Sequence, residues 1–472
     1  MSIARLMNQG LAVLSPIVLV RLLSVDEFGR YREFLLYVTL VSTFASLGFN
    51  NSLLYFAAAQ PNNTRQLLKQ TVVLTFLGSV AAAAVLLIVD GVTGGALTGP
   101  YTWAVAAYVL FYVNIDFWEF YWLARNRLVN VFAYSTGRLT ARLIVVIVAA
   151  AVSGEVWTII WSIVSFEAVR LLVSFGIWVH TARIVGPGEA RPAWIEQIRY
   201  CLPVAAGTMM VVLNRSLGGL AVTKVLGVTA LAYYTIGTQL QPVITVLRNS
   251  ISDVLLPRMA GDSRAADPLA LWRRATTVSL ILLSSVGVLL IEFAQPIVVT
   301  LFSEQYAPAV PLFQLYALLL VRESFDFGVP LRAVNRTTPI LSSNVLAFVT
   351  NIVLLLALMP LFGLIGAVAA LLISRFVDGA YLAWSLMRLH RIPISGLADW
   401  GELGKVVLAS LVASLTLLGS FWTDHLGLAG VVVGSIVYLG VLTLALSVLR
   451  VTEVTRLLRG LGAPAARLWL GR

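Results

Sequence analysis

The sequence has little charge. Only 12% of its 472 residues are Asp, Glu, Lys or Arg, against about 25% in an ordinary soluble protein, while 59% are hydrophobic. This composition excludes a disordered chain, a basic nucleic-acid-binding domain and most classes of soluble enzyme. We therefore expect no nucleic acid among the partners of this protein.

Groups that carry catalysis or bind metals are also scarce. One cysteine, Cys201, excludes an internal disulfide and a cysteine-cluster metal site, and three widely separated histidines argue against a zinc enzyme. No nucleotide P-loop, Gly-x-Ser-x-Gly or His-Glu-x-x-His motif is found. We expect neither a catalytic centre nor a cofactor, so any transport would draw on ion or voltage gradients or on consumption of the product.

Long apolar runs are what the sequence has in abundance. A membrane-spanning helix needs roughly 20 mostly apolar residues, and we predict an all-α polytopic membrane protein with about 14 such helices. The predicted segments are Asn8–Leu23, Glu33–Ala58, Gln70–Val89, Tyr101–Leu123, Asn130–Val152, Glu155–Val179, Tyr200–Val222, Val228–Leu256, Ala275–Glu292, Ala309–Pro330, Ile340–Leu358, Gly363–Met387, Leu403–Phe421 and Leu426–Leu449.

The basic residues between these segments predict the orientation. With the N-terminus in the cytoplasm, 24 Lys and Arg residues fall inside and 4 outside, as the positive-inside rule requires. We therefore expect a multi-pass protein of the bacterial inner membrane with both termini cytoplasmic, its first segment retained rather than cleaved as a signal peptide. Misplacing a whole hairpin would leave the bias intact, so twelve helices is the alternative count.

The chain also shows a faint internal repeat. At an offset of 203 residues, four residues of the first hairpin match the seventh and eighth segments: Arg21 with Lys224, Leu23 with Leu226, Val25 with Val228 and Tyr31 with Tyr234. Because an even number of segments separates the copies, this predicts a parallel repeat about an axis along the membrane normal.

Five stretches of small, apolar and aromatic residues carry a resemblance to a known family. They are the elbow Arg21–Tyr31 with Ser46–Phe49 after it, Val225–Tyr233, Leu256–Pro257, Leu301–Tyr306 and Met359–Ala370. Together they resemble the polysaccharide flippases of the multidrug, oligosaccharidyl-lipid and polysaccharide exporter superfamily. The sequence departs from the family in having Ser303 where Gly is usual. It also lacks, over Gly10–Val20, the first-helix arginine of the lipid II-flipping branch.

The resemblance implies two six-helix lobes around a central cavity plus two C-terminal helices. On the predicted segments, residues 1–182 form the first lobe, 183–199 a cytoplasmic linker, 200–392 the second lobe, and 393–472 two further helices and a basic cytoplasmic tail. The implied function is to flip an isoprenoid diphosphate-linked oligosaccharide from the inner to the outer leaflet by alternating access. Membrane lipids, a polysaccharide polymerase and glycosyltransferases are the expected partners.

Charged residues inside the predicted helices are the candidate site residues, because an ionisable group at membrane depth usually faces a cavity or a partner. The spacings Glu167–Arg170, Arg322–Asp326 and Arg375–Asp378 place both charges on one helix face. Structural pairing and substrate contact therefore both remain open for Arg170, Arg322 and Arg375.

Two arginines, Arg215 and Arg248, have no acid three or four residues away in their own segments. Each must find an anion elsewhere, and a diphosphate suits the planar fork of a guanidinium. We predict substrate-binding roles for Arg215, Arg248, Arg322 and Arg375, and no metal site. Five further polar residues could contribute contacts in the first half, without an assigned role: Asn8, Gln9, Asn50, Asn51 and Arg142.

Aromatic residues crowd the fourth segment: Trp103, Tyr108, Phe111, Tyr112, Phe117, Trp118, Tyr121 and Trp122. A sugar-stacking surface is one interpretation, but packing and an interfacial aromatic belt are favoured.

Two other functions are considered. In a cation-coupled multidrug exporter of the same superfamily, Glu167, Asp326 and Asp378 would be the coupling sites. A membrane glycosyltransferase would need catalytic groups outside the membrane, yet the longest outer segment, Phe293–Pro308, holds one acid, Glu304.

Overall fold

The protein is built from helices. The computed structural model describes residues 2–59, 64–115, 117–184, 194–261, 268–417 and 421–461, and within these ranges every regular element is helical. The prediction of an all-α membrane protein is confirmed.

The chain divides into two compact units, Met1–Thr235 and Ile236–Arg472. The helices of unit 1 are α1 Ser2–Leu22, α2 Val25–Ser46, α3 Phe49–Ala59, α4 Thr64–Val92, α5 Thr102–Val113, α6 Phe117–Ala124, α7 Leu128–Ser153, α8 Val156–Ile184, α9 Trp194–Leu226 and α10 Val228–Gly237, the last of which ends in unit 2. The lobe boundaries read from the sequence stay predictions, and most of the predicted linker, residues 185–193, lies outside the described ranges.

Unit 2 contains the remaining helices. They are α11 Gln241–Gly261, α12 Pro268–Glu292, α13 Ala294–Phe302, α14 Val310–Ala317, α15 Leu319–Glu323, α16 Gly328–Ala333, α17 Thr338–His390, α18 Ile394–Leu397, α19 Trp400–Ser414, α20 Phe421–Val448 and α21 Thr452–Leu461. Large buried aromatic residues fill the core of each unit, Trp118 in the first and Trp272 and Tyr438 in the second.

Each of the fourteen predicted segments is helical over most of its described residues, although not all are single helices. Among the described residues, eight helices are long and apolar enough to cross a membrane. One of them, α17, covers two predicted segments and turns at Gly363, whose φ of 55° and ψ of −129° suit glycine alone. The other predicted segments correspond to α1 and to four helices that are interrupted.

The interrupted segments are the second, fourth, eighth and tenth. Their breaks lie between α2 and α3, α5 and α6, α10 and α11, and within the run α14–α16. Inside a membrane a broken helix must satisfy its freed backbone and polar groups within the protein. Asn114, at the α5–α6 break, donates to Ser79 Oγ at 2.9 Å and to the Leu110 carbonyl at 2.6 Å. Interruptions at corresponding positions of two halves are typical of transporters and point to their binding sites.

The elbows at the starts of α2 and α10 pack against each other. Their first residues, Val25 and Val228, differ by the predicted repeat offset. Thr229 donates a hydrogen bond to Asp26 Oδ1 at 3.1 Å, again across 203 positions. Gly29 permits this approach, because a Cβ there would lie 2.1 Å from the Val228 carbonyl oxygen. The packing supports the internal repeat.

Replacement of Gly29 by alanine should therefore destabilise the protein. We expect Gly29→Ala to lower the unfolding free energy by about 1–3 kcal/mol, the usual cost of overpacking, and so to lower the thermal midpoint of the purified protein in detergent. Gly137→Ala on α7 is the control, since a Cβ there meets nothing within 4 Å. Equal midpoints for the two variants would show that the elbow contact is not tight.

Candidate functional site

Three of the four predicted substrate-binding arginines converge in unit 2. Arg248 lies on α11, Arg322 on α15 and Arg375 on α17, the helices that correspond to the eighth, tenth and twelfth predicted segments. Arg215 lies on α9 in unit 1, with an exposed side chain.

Glu323 joins two of these arginines. Its Oε2 accepts from Arg248 Nη1 at 2.9 Å, and its Oε1 accepts from Arg375 Nη2 at 2.8 Å. The carboxylate side chain is only 3% exposed. It lies at the end of α15, directly before the break of the tenth segment, and so it ties α11 to α17 through a residue of the interrupted helix.

Asp378 neutralises the third arginine. Arg322 Nη2 donates to Asp378 Oδ2 at 2.7 Å, and Arg375 Nη1 lies 3.6 Å from the same oxygen. Arg322 Nε also donates to the Arg375 carbonyl at 2.9 Å. Gly379 lets the guanidinium lie against α17, since a Cβ there would lie 3.1 Å from Arg322 Nε.

The predicted pair Arg322–Asp326 is wrong, because its spacing assumed an unbroken helix. The helix ends at Glu323, and α16 begins only at Gly328. Asp326 instead accepts from Ser252 Oγ at 2.7 Å and from the Gly328 amide at 3.1 Å, and it pairs with Arg332 at 3.4 Å. The other two same-face pairs are present, Glu167 with Arg170 and Asp378 with Arg375.

We call Arg248, Arg322, Glu323, Arg375 and Asp378 the arginine node. It combines three guanidinium groups with two carboxylates, which leaves a net charge of +1 among its members. Arg322 is 8% exposed, whereas Arg375 is 25% and Arg248 30% exposed. The surplus positive charge is thus presented by the two accessible arginines, which can bind an anion through parallel N–H donors.

The sequence did not reveal which carboxylate pairs with which arginine in this node. Arg248 has no acid partner on its own helix, as predicted, but its carboxylate is Glu323, 75 positions away. The adjacent residues Arg322 and Glu323 pair with different helices. No local spacing reveals such pairing. The one available signal is that Arg322, Glu323 and Asp326 fall within five residues of an apolar segment, too many charges for an unbroken span.

Unit 1 contains a cavity of about 480 Å³ beside the α2–α3 and α5–α6 breaks, with both apolar and polar residues in its lining. Arg142 from α7, Asn50 from α3 and a row of hydroxyl residues on α2 line it. The row, Thr39, Ser42, Thr43 and Ser46, has helical spacing and is visible in the sequence. Asn8, Gln9 and Asn51 lie outside the described side chains.

Most aromatic residues of the fourth segment pack in the protein, as the favoured interpretation held. Tyr108, Phe117, Trp118 and Tyr121 are buried, and Trp118 Nε1 donates to Ser174 Oγ. Tyr108 and Tyr112, however, also border the cavity of unit 1. Trp103 is 71% exposed, as expected of a residue at a membrane interface.

The comparisons with known proteins give a family and a fold. A family model described as polysaccharide biosynthesis protein matches residues 18–311. The comparison with curated protein sequences returns no significant match.

Several solved structures share the fold. A structure of the lipid II flippase MurJ in an inward closed conformation is similar with a TM-score of 0.69 and 15% identity, covering 95% of this chain and 99% of that one. An inward-facing multidrug resistance MATE family transporter of the MOP superfamily gives 0.58 and 14%, covering 83% and 98%. A MOP superfamily transporter from Pyrococcus furiosus gives 0.53 and 12%, covering 83% and 94%. At these identities the likeness shows the fold.

Removal of the shared carboxylate should destabilise unit 2. Glu323→Ala would leave Arg248 and Arg375 without their common partner at membrane depth, and breaking a buried ion pair costs about 3–5 kcal/mol. We expect a clearly lower thermal midpoint in detergent. Glu453→Ala is the control, because its pair with Arg456 is exposed and such pairs contribute about 0–1 kcal/mol. Similar midpoints for both variants would contradict a structural role of Glu323.

Proposed function

Because the chain belongs to the family of polysaccharide biosynthesis proteins, we propose that it is a flippase for an isoprenoid diphosphate-linked oligosaccharide. It moves this polysaccharide repeat unit from the cytoplasmic to the outer leaflet of the bacterial inner membrane by alternating access. The lobes assigned from the sequence, residues 1–182 and 200–392, carry this motion, and both termini lie in the cytoplasm. The protein transports its substrate and does not modify it.

The arginine node is the observation that carries this proposal. A diphosphate offers several anionic oxygens to planar guanidinium groups, which bind such oxygens two at a time. Arg248 and Arg375 are accessible and share one carboxylate, while Arg322 on α15 is buried and pairs with Asp378. Since Glu323 already occupies one face of each accessible arginine, an arriving diphosphate competes with it. The competition keeps binding weak enough for release on the other side.

Arg215 is proposed as a further contact to the diphosphate. Its side chain is exposed on α9, in a helix whose other charged residues lie near its ends. A charged residue in the middle of an apolar membrane helix costs free energy, and a role in substrate binding explains why this arginine is present.

The expected partners follow from the chemistry of the substrate. Glycosyltransferases must assemble the lipid-linked repeat unit on the cytoplasmic side, and a polysaccharide polymerase must consume it outside. Consumption of the product, or an ion or voltage gradient, supplies the direction of transport. Membrane lipids surround the isoprenoid chain throughout.

A cation-coupled multidrug exporter is the alternative function. It would use Glu167, Asp326 and Asp378 as coupling carboxylates. Each of them is held by an arginine, Arg170, Arg332 and Arg322 respectively, so a coupling ion would have to displace a guanidinium. This pairing disfavours the alternative.

Loss of the accessible arginines should reduce flipping. We expect Arg248→Ala and Arg215→Ala each to lower surface polysaccharide and the initial flipping rate of a fluorescent polyprenyl diphosphate saccharide in proteoliposomes by about 10-fold or more. The reason is that a hydrogen bond to a charged group contributes about 1.5–3 kcal/mol. Protein level and thermal midpoint are measured in parallel.

Arg456→Ala is the matched control, since Arg456 is exposed on α21. This variant should flip the saccharide lipid at the normal rate. Normal export by both Arg248→Ala and Arg215→Ala would refute the proposed role of these two arginines in binding the diphosphate. Drug resistance on overexpression, without any effect on surface glycan, would support the multidrug exporter.

A further inference from the structure

Arg142 lines the cavity of unit 1 and contacts no carboxylate among the described residues. The guanidinium carbon of Arg142 lies 5.6 Å from the centre of the Tyr108 ring, and no acid lies within ion-pair distance of Arg142 among the described residues. Glu167 acts on it electrostatically, but that carboxylate is bound by Arg170. An arginine inside a membrane-spanning helix usually faces a cavity or pairs with an anion, and none of the described carboxylates of unit 1 takes that place beside Arg142.

Two buried polar atoms of the cavity lining have no hydrogen-bond partner within the described parts of the chain. They are Ser42 Oγ and Asn50 Oδ1, on residues that are each 8% exposed. Buried polar groups are nearly always hydrogen-bonded in folded proteins. Two such atoms lining one cavity are available to form hydrogen bonds with polar groups of a ligand.

Other hydroxyls of the lining are prepared to accept. Thr39 and Thr43 donate to the Leu35 and Thr39 carbonyls, each at 2.7 Å, and Ser46 donates to the Thr43 carbonyl at 3.2 Å. Because each hydroxyl donates its hydrogen bond to a carbonyl of the helix backbone, the lone pairs of its oxygen remain available as acceptors. We call these three hydroxyls the acceptor wall of α2, and a ligand rich in O–H donors matches it.

Aromatic faces complete the lining. The rings of Tyr108 and Tyr112 are stacked, with their centres 5.3 Å apart and an angle of 22° between them. The C–H faces of a sugar ring pack on such surfaces, and tyrosine combines an apolar face with a polar edge. A volume of about 480 Å³ lies within the range of small-ligand sites.

We propose that this cavity binds a saccharide that carries an anionic group, with a uronic acid as the representative ligand. The carboxylate pairs with Arg142, the ring packs on Tyr108 and Tyr112, and the sugar hydroxyls bond to Ser42, Asn50 and the acceptor wall of α2. A neutral sugar would leave Arg142 without an anion, and an inorganic anion would leave the wall and the rings unused. The assignment rests on the proposed function only in taking the sugar to be part of the transported glycan.

Direct binding to the full-length protein in detergent tests the proposal. Saturation-transfer NMR titrations compare glucuronate, glucose and inorganic phosphate. We expect glucuronate to bind at least 10-fold more tightly than glucose or phosphate, and Arg142→Gln to weaken glucuronate binding at least 10-fold. Arg138→Gln is the matched control, one turn away on α7 and in contact with Glu119 at 3.8 Å, and it should bind like the unaltered protein.

A second variant distinguishes loss of the binding site from loss of the folded structure. Ser46→Leu fills the cavity from α2, keeps Arg142 and should abolish glucuronate binding while the thermal midpoint is maintained. Equal binding of glucose and glucuronate, preferential binding of phosphate, or retention of glucuronate by Arg142→Gln would overturn the proposal.

Transport and binding are separable. In proteoliposomes, Arg142→Gln should flip a neutral polyprenyl diphosphate saccharide at the normal rate and one with a uronic acid at least 5-fold more slowly. Glucuronate binding without flipping of either lipid would refute the proposed function and leave the cavity assignment standing. Equal slowing of both lipids would overturn the assignment to an acidic sugar.

Discussion

A charge inside an apolar helix bundle must be neutralised by its neighbours, and much of this structure follows from that requirement. The two carboxylates of the arginine node neutralise two of its three guanidinium groups, which leaves a net charge of +1. Unit 1 meets the same requirement differently, since Glu167 pairs with Arg170 and Arg142 lies against an aromatic ring. At both places the described guanidinium groups outnumber the carboxylates, three to two in the arginine node and two to one for Arg142, Arg170 and Glu167.

The interrupted helices explain why these charges can exist at such depth. A break in a membrane helix frees backbone and polar groups, and the protein satisfies them with side chains such as Asn114 and Asp326. The arginine node adjoins the break after Glu323, and the cavity of unit 1 adjoins the break at Gly48. In both units the polar groups gather where a helix stops, which is where a solute can reach protein atoms other than apolar side chains.

Composition and hydropathy were enough to predict the helical fold and all fourteen segments, because long apolar runs have only one stable form in a membrane. They also picked out Arg248, Arg322 and Arg375 as charges within predicted membrane segments, the three arginines that converge in unit 2. The partner of Arg322 could not be predicted, since its helix ends one residue later, where Asp326 would have completed the expected turn. Arg142 stayed without a role because its importance depends on Ser42 and Asn50, about a hundred positions earlier.

The hydrogen bond between Asp26 and Thr229 joins two positions that are equivalent in the repeat. Two aspartates at these positions would repel each other. The two elbows differ there, so that Asp26 supplies the acceptor and Thr229 the donor. The difference in sequence between the two elbows is thus what permits a polar contact between them.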